Sequence, residues 1–269
     1  MARVVGSPQR ISAGRRLAAL AVVGAFTIAA CSSDSDSGSS AGDSSGSSSD
    51  KALVIARGMD VNSLDPSRAY CDTCQIYMTA VYETLIGLDD DNTTLVPRLA
   101  TAWESNAEQT EFTFTLDPTA KFADGSAVTS ADVKYSWERL AGLQGSASYL
   151  VGSIEAIDTP DDGTVKVTLS ASNSAFLAQV NAGYLGIMNK KVAEANGATT
   201  DPTTDKAEEW FLANSAGSGP YTLKSYAAGA ELRLERNDAD RGAAQACPGA
   251  SSTETPPAVT QRQPPEEGS

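Results

Sequence analysis

Glu111-Phe112-Thr113-Phe114-Thr115-Leu116, continuing into Asp117-Pro118-Thr119-Ala120-Lys121-Phe122-Ala123-Asp124-Gly125, is the stretch on which the fold turns. Its first six residues alternate strictly between polar and apolar. Strand side chains point to opposite faces in turn, so this is a strand with one buried face. Gly125 then serves a tight turn, where a residue without a Cβ fits. Working outward, Thr129 or Ser130 caps a helix that presents Val133, Trp137 and Leu140 on one side. Residues 153–157 and 164–169 flank Pro160-Asp161-Asp162-Gly163 and read as a hairpin. Residues 221–226 and 231–234 make another strand pair around Ala228-Gly229. Towards the N-terminus, the apolar run 52–56 reads as a buried strand, and Asn62-Ser63-Leu64-Asp65-Pro66 as a turn in which Pro66 holds Asp65 extended. Residues 73–85 carry Ile76, Ala80, Val81 and Leu85 at helical spacing and read as a helix. The mixture is α+β without an internal repeat.

The N-terminus has a different character. Arg3, Arg10, Arg15 and Arg16 precede a mostly apolar run from Leu17 to Ala30, and no acidic residue occurs before Asp34. At ~1.5 Å per residue the run covers ~21 Å, short of a ~30 Å hydrocarbon core, so it reads as an export signal rather than a membrane span. It closes on Ile28-Ala29-Ala30-Cys31, similar to a bacterial lipobox, with the Cys31 thiol as the lipid acceptor. Arg15-Arg16 leaves the choice between the general and twin-arginine routes open. Residues 32–49 are almost wholly Ser, Gly and Asp, too poor in apolar residues to offset the entropy of ordering, and read as a flexible tether. The expected organisation is a lipoprotein signal peptide (1–30), a tether (31–50), a folded unit (51–238) and a tail (239–269).

Composition removes several function classes. The formal net charge is −14, and it becomes −18 without residues 1–30, which carry four arginines and no acid. Nucleic acid and anionic membrane surfaces call for the opposite sign, so nucleic-acid binding is not expected. The chain has no histidine, the commonest metal ligand and general base, so zinc hydrolysis and Ser-His or Cys-His catalysis are not expected. Neither a metal nor a cofactor is called for.

Taken in order, several segments resemble one known family. They are Ser63-Leu64-Asp65-Pro66, Tyr82-Glu83-Thr84-Leu85, and Pro97-Arg98-Leu99-Ala100-Thr101-Ala102-Trp103-Glu104. Residues 112–116 with Lys121-Phe122-Ala123-Asp124-Gly125 follow, then Thr129-Ser130-Ala131-Asp132-Val133 and Ser136-Trp137-Glu138-Arg139. The last are Gly217-Ser218-Gly219-Pro220-Tyr221 and Leu234-Glu235-Arg236-Asn237. From about residue 52 to Asp238 the chain resembles the family-5 extracellular solute-binding proteins, the dipeptide, oligopeptide and nickel receptors of ABC importers. The resemblance implies the first lobe of a two-lobed periplasmic-binding-protein-like (class II) fold, a mixed sheet with flanking helices. It implies a monomer that binds peptides or related solutes, works with ABC permease subunits, and is held outside the cell membrane by its lipid. Residues just after the Leu-Asp-Pro element approach the cleft in such proteins, which makes Tyr70, Asp72 and Gln75 the ligand-contact candidates. Trp137, large and apolar, is expected in the core.

Family members continue after the Arg-Asn element into a second lobe and reach about twice this length. Here residues 239–269 have no aromatic residue, and no strand or helix pattern is legible in them. The expectation is a disordered tail that replaces the second lobe after a frameshift or early stop, with a genuinely one-lobed protein as the competing explanation. On that expectation solute binding is weak, because one lobe cannot close over its ligand. Cys71-Asp72-Thr73-Cys74 leaves another reading open. A local disulfide is the simpler one, and an extracytoplasmic thiol-disulfide oxidoreductase using Cys71 and Cys74 is the alternative. A non-functional exported fragment is a further one. Asn92-Thr93-Thr94 fits a glycosylation sequon but is expected only to turn the chain.

Overall fold

The computed structural model describes residues 53–56, 60–241 and, for the backbone, 249–253. The signal, Cys31, the tether and residues 254–269 lie outside the described residues. The elements run β1 (Leu53–Ala56), α1 (Asp72–Val81), β2 (Ile86–Leu88), β3 (Leu95–Pro97), β4 (Ala100–Ser105), β5 (Glu111–Leu116), α2 (Ser130–Leu143), β6 (Ile154–Asp161) and β7 (Thr164–Leu169). Short helices α3 (Phe176–Val180), α4 (Lys190–Ala195) and α5 (Glu208–Phe211) follow, then β8 (Tyr221–Ala227), β9 (Glu231–Arg236) and β10 (Gly249–Thr253). Two sheets of four strands, ordered β4-β5-β7-β6 and β1-β10-β9-β8, accompany the β2-β3 ladder.

The first sheet forms where the alternation predicts. Phe112, Phe114 and Leu116 of β5 are buried, as are Val165, Val167 and Leu169 of β7. The antiparallel register sets Phe112 opposite Val167 and Phe114 opposite Val165, so one apolar face runs across both strands. Helix α2 starts at Thr129, whose backbone N–H and hydroxyl both donate to Asp132 Oδ2, at 2.9 and 2.7 Å. Val133, Trp137 and Leu140 face inward, and the Trp137 indole N–H donates to Leu185 O at 3.1 Å, so Trp137 is a core residue. Gly125 sits at φ +84°, the left-handed region the turn required.

One polar cluster lies within this core. Arg139 of α2 and Asp65 of the Leu-Asp-Pro turn are both fully buried. The guanidinium donates to both Asp65 oxygens at 2.6 Å each, and to Asp205 Oδ2 at 2.8 and 3.1 Å. Arg68 completes the cluster through Asp205 Oδ1 at 3.0 Å. Two carboxylates thus meet two guanidinium groups, and burial is balanced charge for charge.

Four expectations change. Helix α1 ends at Val81, and its buried face is Cys74, Tyr77, Met78 and Val81, while Ile76 is exposed. That second set has the i, i+3, i+4, i+7 spacing of one helix face, whereas the expected set is spaced i, i+4, i+5, i+9, and packing chose between the two stripes. Leu85 is buried beyond the helix, because the chain is extended from Tyr82, where the Glu83 carbonyl accepts from Ile187 N at 2.9 Å. Strand β6 runs through Pro160, which an edge strand tolerates because one side of it needs no ladder donor. Strand β1 is not buried: Leu53 and Val54 are exposed on an edge strand whose one partner is β10.

The fourth change concerns the region after Asp238. Gly249–Thr253 form β10, parallel to β1 and antiparallel to β9, where no strand pattern was legible. A small-residue segment becomes a strand here because two neighbours supply its ladder, not because its side chains alternate. Arg241 is also seated on the fold, donating to Glu83 at 3.1 and 3.3 Å and pairing with Asp117.

Burial raises the Glu83 carboxyl above its ordinary 4.5, against the lowering effect of Arg241. A raised carboxyl stabilises the fold below its unfolded value, and that contribution is lost as pH rises through the folded value. Arg241→Gln is therefore expected to cost about 1–2 kcal/mol near pH 7 and clearly less near pH 4.5, measured as melting temperature against pH. An equal loss at both pH values would remove Glu83 from the explanation.

Candidate functional site

The first turn of α1 organises the one depression that gathers the expected contact residues. Cys71 is its N-cap, extended at φ −162° and ψ 162°, and is joined to Cys74 by a disulfide. The first turn of a helix leaves four N–H groups without intrahelical partners. Here Asp72 N and Thr73 N donate to the two Asp60 oxygens at 3.1 Å each, Cys74 N to Cys71 Sγ at 3.0 Å, and Cys71 N to the Tyr184 hydroxyl at 3.0 Å. These bonds hold the Asp60 carboxyl below its usual value, with the Thr73 side chain contributing most.

A short 3-10 turn, Gly183–Leu185, packs against this end of α1. Its Tyr184 hydroxyl donates to Cys71 O at 2.8 Å and accepts from Cys71 N at 3.0 Å. Gly183 permits the approach, since a Cβ there would lie 3.0 Å from Thr79 Cγ2 and 3.3 Å from Gln75 Oε1. Tyr70 stacks on Tyr184, with ring centres 5.3 Å apart, and meets Tyr149 of the 3-10 turn Ser146–Val151 at 6.3 Å and an interplanar angle of 85°. The Tyr149 hydroxyl is raised chiefly by its hydrogen bond with Tyr70, and that of Tyr184 chiefly by burial, so both stay uncharged at neutral pH.

These residues enclose an open depression of about 390 Å³. The predicted Tyr70, Asp72 and Gln75 all line it, beside Cys71. Asp60, Tyr149 and Tyr184 also line it and were not foreseen, since each comes from a separate loop with no motif of its own. A wider hollow of about 500 Å³ lies between Ala123–Gly125 and Arg236–Ala239. It is flatter and has no aromatic ring in its wall, so it offers a solute less to bind, and the depression at α1 is the candidate site. Among the described residues no group of three His, Cys, Asp or Glu could hold a metal.

The described residues form an α+β fold with an aromatic depression at a helix start. The profile of the bacterial extracellular solute-binding proteins, family 5, matches residues 94–245, and the chain belongs to that family. It is 36% identical over 190 residues to the probable D,D-dipeptide-binding periplasmic protein DdpA of Escherichia coli, a match covering 69% of this chain and 36% of that protein. The dipeptide-binding protein DppE of Bacillus subtilis is 25% identical over 234 residues, covering 79% of this chain and 41% of that protein. The chain thus spans about two fifths of the length of these curated relatives. Among solved structures, AgaA of A. tumefaciens in complex with agropinic acid aligns with a TM-score of 0.66 and 26% identity, over 76% of this chain and 40% of that one. DppA of Helicobacter pylori in complex with the peptide STSA has the same fold, with a TM-score of 0.66 and 22% identity over 77% of this chain and 43% of that one.

The family match reaches past Asp238, in line with the seating of Arg241. Family-5 proteins are transport binders rather than enzymes. The Cys71–Cys74 pair therefore serves here as a covalent cap on α1, and Cys74 is fully buried.

Proposed function

We propose that this lobe forms one wall of the solute site of a peptide-type ABC importer's receptor, extracytoplasmic and tethered to the membrane through a lipid on Cys31. The observation that carries the reading is the gathering of Tyr70, Asp72 and Gln75 on one aromatic depression, within a fold shared with binding proteins solved in complex with agropinic acid and with a peptide. Small solutes bind in concave sites that combine apolar surface with a few placed polar groups, and the tyrosine rings with Asp72 and Gln75 supply both here. A solute held by this wall alone would stay partly hydrated and bind weakly, and the reading takes the receptor to meet its permease as a monomer.

Calorimetry of the full chain against a pool of di- and tripeptides tests the reading. Dissociation constants of about 0.1–1 mM are expected, weakened several-fold by Tyr70→Ala. Sub-micromolar binding would overturn the one-walled description, and no heat at all would sink the peptide reading. For Cys31, palmitate labelling of the protein in a bacterial host, abolished by Cys31→Ser, is the expected result.

A further inference from the structure

Cys71–Cys74 is the one disulfide among the described residues, and its two halves differ. Cys71, the N-cap of α1, is partly exposed and lines the depression beside the aromatic corner of Tyr70 and Tyr149. Cys74, one turn further in, is fully buried. A thiol in solution attacks the sulfur it can reach. Exchange at this pair therefore has one direction, onto Cys71 with Cys74 as the leaving sulfur.

The surroundings of the buried half suit a thiol. Asn62 Oδ1 lies 3.1 Å from Cys74 Sγ, and Ser63 O lies 3.5 Å from it. A disulfide sulfur carries no hydrogen, so neither oxygen receives a bond from it, whereas a Cys74 S–H would have both acceptors at hand. Asn62 Oδ1 also accepts from Tyr70 N at 3.0 Å, and an amide oxygen has a second lone pair for the thiol. The helix start does not depend on the S–S bond. Asp72 N and Thr73 N are held by Asp60, Cys71 N by the Tyr184 hydroxyl, and the Cys71 sulfur can accept from Cys74 N in either oxidation state. Burial of Cys74, and the Asp60 and Asp72 carboxylates beside Cys71, disfavour thiolates, so the reduced pair is two neutral thiols.

We propose that Cys71–Cys74 is a reversible thiol-exchange site, which a small uncharged thiol opens from the depression without unfolding the protein. The thiol loses its proton and attacks Cys71 Sγ. The Cys71–Cys74 bond breaks, and a mixed disulfide forms on Cys71. Cys74 leaves with the electron pair of the broken bond, takes up the proton the attacking thiol gave up, and donates it to Asn62. A second thiol attacks the outer sulfur of the adduct, carries the first away as a free disulfide, and leaves Cys71 as a thiol. Two external thiols are oxidised and the pair gains two electrons. The exchange is stoichiometric rather than catalytic, and it stands apart from the solute reading because its test uses no solute.

The test treats the full chain, folded, with 2-mercaptoethanol and maps the products by peptide mass spectrometry, which separates this pair from Cys31 and Cys247. A mixed disulfide on Cys71 is expected, with Cys74 a free thiol and the far-UV circular dichroism unchanged. After full reduction, iodoacetamide should alkylate Cys71 at least about tenfold faster than Cys74. In dithiothreitol redox buffers, Asn62→Ala, at an exposed position, should need an about two- to five-fold higher reduced-to-oxidised ratio for half reduction. It should match the parent once both chains are unfolded in urea. A disulfide that reacts only after urea unfolds the chain is an inert link and overturns the proposal. So does an adduct on Cys74, loss of the helical signal on reduction, or a ratio unmoved by Asn62→Ala.

Discussion

Replacing Arg139 with methionine is expected to lower the unfolding free energy by about 3–5 kcal/mol, the usual cost of stranding buried partners of an ion pair. The guanidinium is fully buried and makes four hydrogen bonds to Asp65 and Asp205, whose side chains are also inaccessible. Arg139→Lys should recover little, because an ammonium cannot reproduce the paired bonds of a planar fork. The pH dependence identifies the cause. Burial alone would raise Asp205, but the Thr199 N–H, Arg68 and Arg139 together hold it below its ordinary 3.8. A depressed carboxyl gives stability above its unfolded value and loses it as pH falls through the folded value, so the parent protein should weaken below about pH 4. In Arg139→Met, Asp205 keeps its burial and its Arg68 partner but loses the Arg139 guanidinium, so its folded value rises and part of the variant's loss is recovered as pH falls from 7 towards 5. Urea denaturation at pH 5 and 7 checks this, and a variant equally weak at both would refute it.

Gly217→Ala is expected to cost about 3 kcal/mol or more, the upper end of overpacking penalties. A Cβ at Gly217 would lie 1.9 Å from Val81 O and 2.8 Å from Val81 C, and these are backbone atoms at the end of α1 that cannot rotate away. The loop cannot retreat either. Gly219 N donates to Val81 O at 2.9 Å, the Gly217 carbonyl accepts from Ala123 N at 3.1 Å, and Asn237 Nδ2 donates to Gly219 O at 2.8 Å. The loop joins α1, the Phe122 turn and the end of β9, so a shift at Gly217 is felt at all three. Gly163→Ala is the control. Its nearest neighbour would be Asp161 Oδ1 at 3.6 Å, and it should stay within about 0.5 kcal/mol of the parent in the same thermal melt. Equal losses for both variants would show that tight packing at Gly217 is not the cause.

The depression at α1 was partly legible. Tyr70, Asp72 and Gln75 follow the Leu-Asp-Pro turn directly, so the family resemblance could point to them. Tyr149 and Tyr184 could not be found that way. Each sits in a 3-10 turn with no periodic pattern, and they meet Tyr70 only because α2 and α1 bring those turns together. Asp60 could be recognised only once its carboxylate was seen on the Asp72 and Thr73 N–H groups. The extended Asp65 of the turn and the Arg139 of the helix were both noted in the sequence. Nothing in their spacing said that one buries against the other.

The sequence by itself determined the features whose physics is local. The alternation of β5, the cap at Thr129 or Ser130 that opens α2, the turn at Gly125 and the inward Trp137 all rest on short-range periodicity or hydrogen bonding within a few residues. Only the tertiary structure decided which of two helical stripes α1 buries, which carboxylates Arg139 meets, and that Gly249–Thr253 pairs as β10. The aromatic corner at Tyr70 belongs with these. Each depends on partners far away along the chain, and a local pattern cannot say which distant surface will offer the better burial or the vacant ladder.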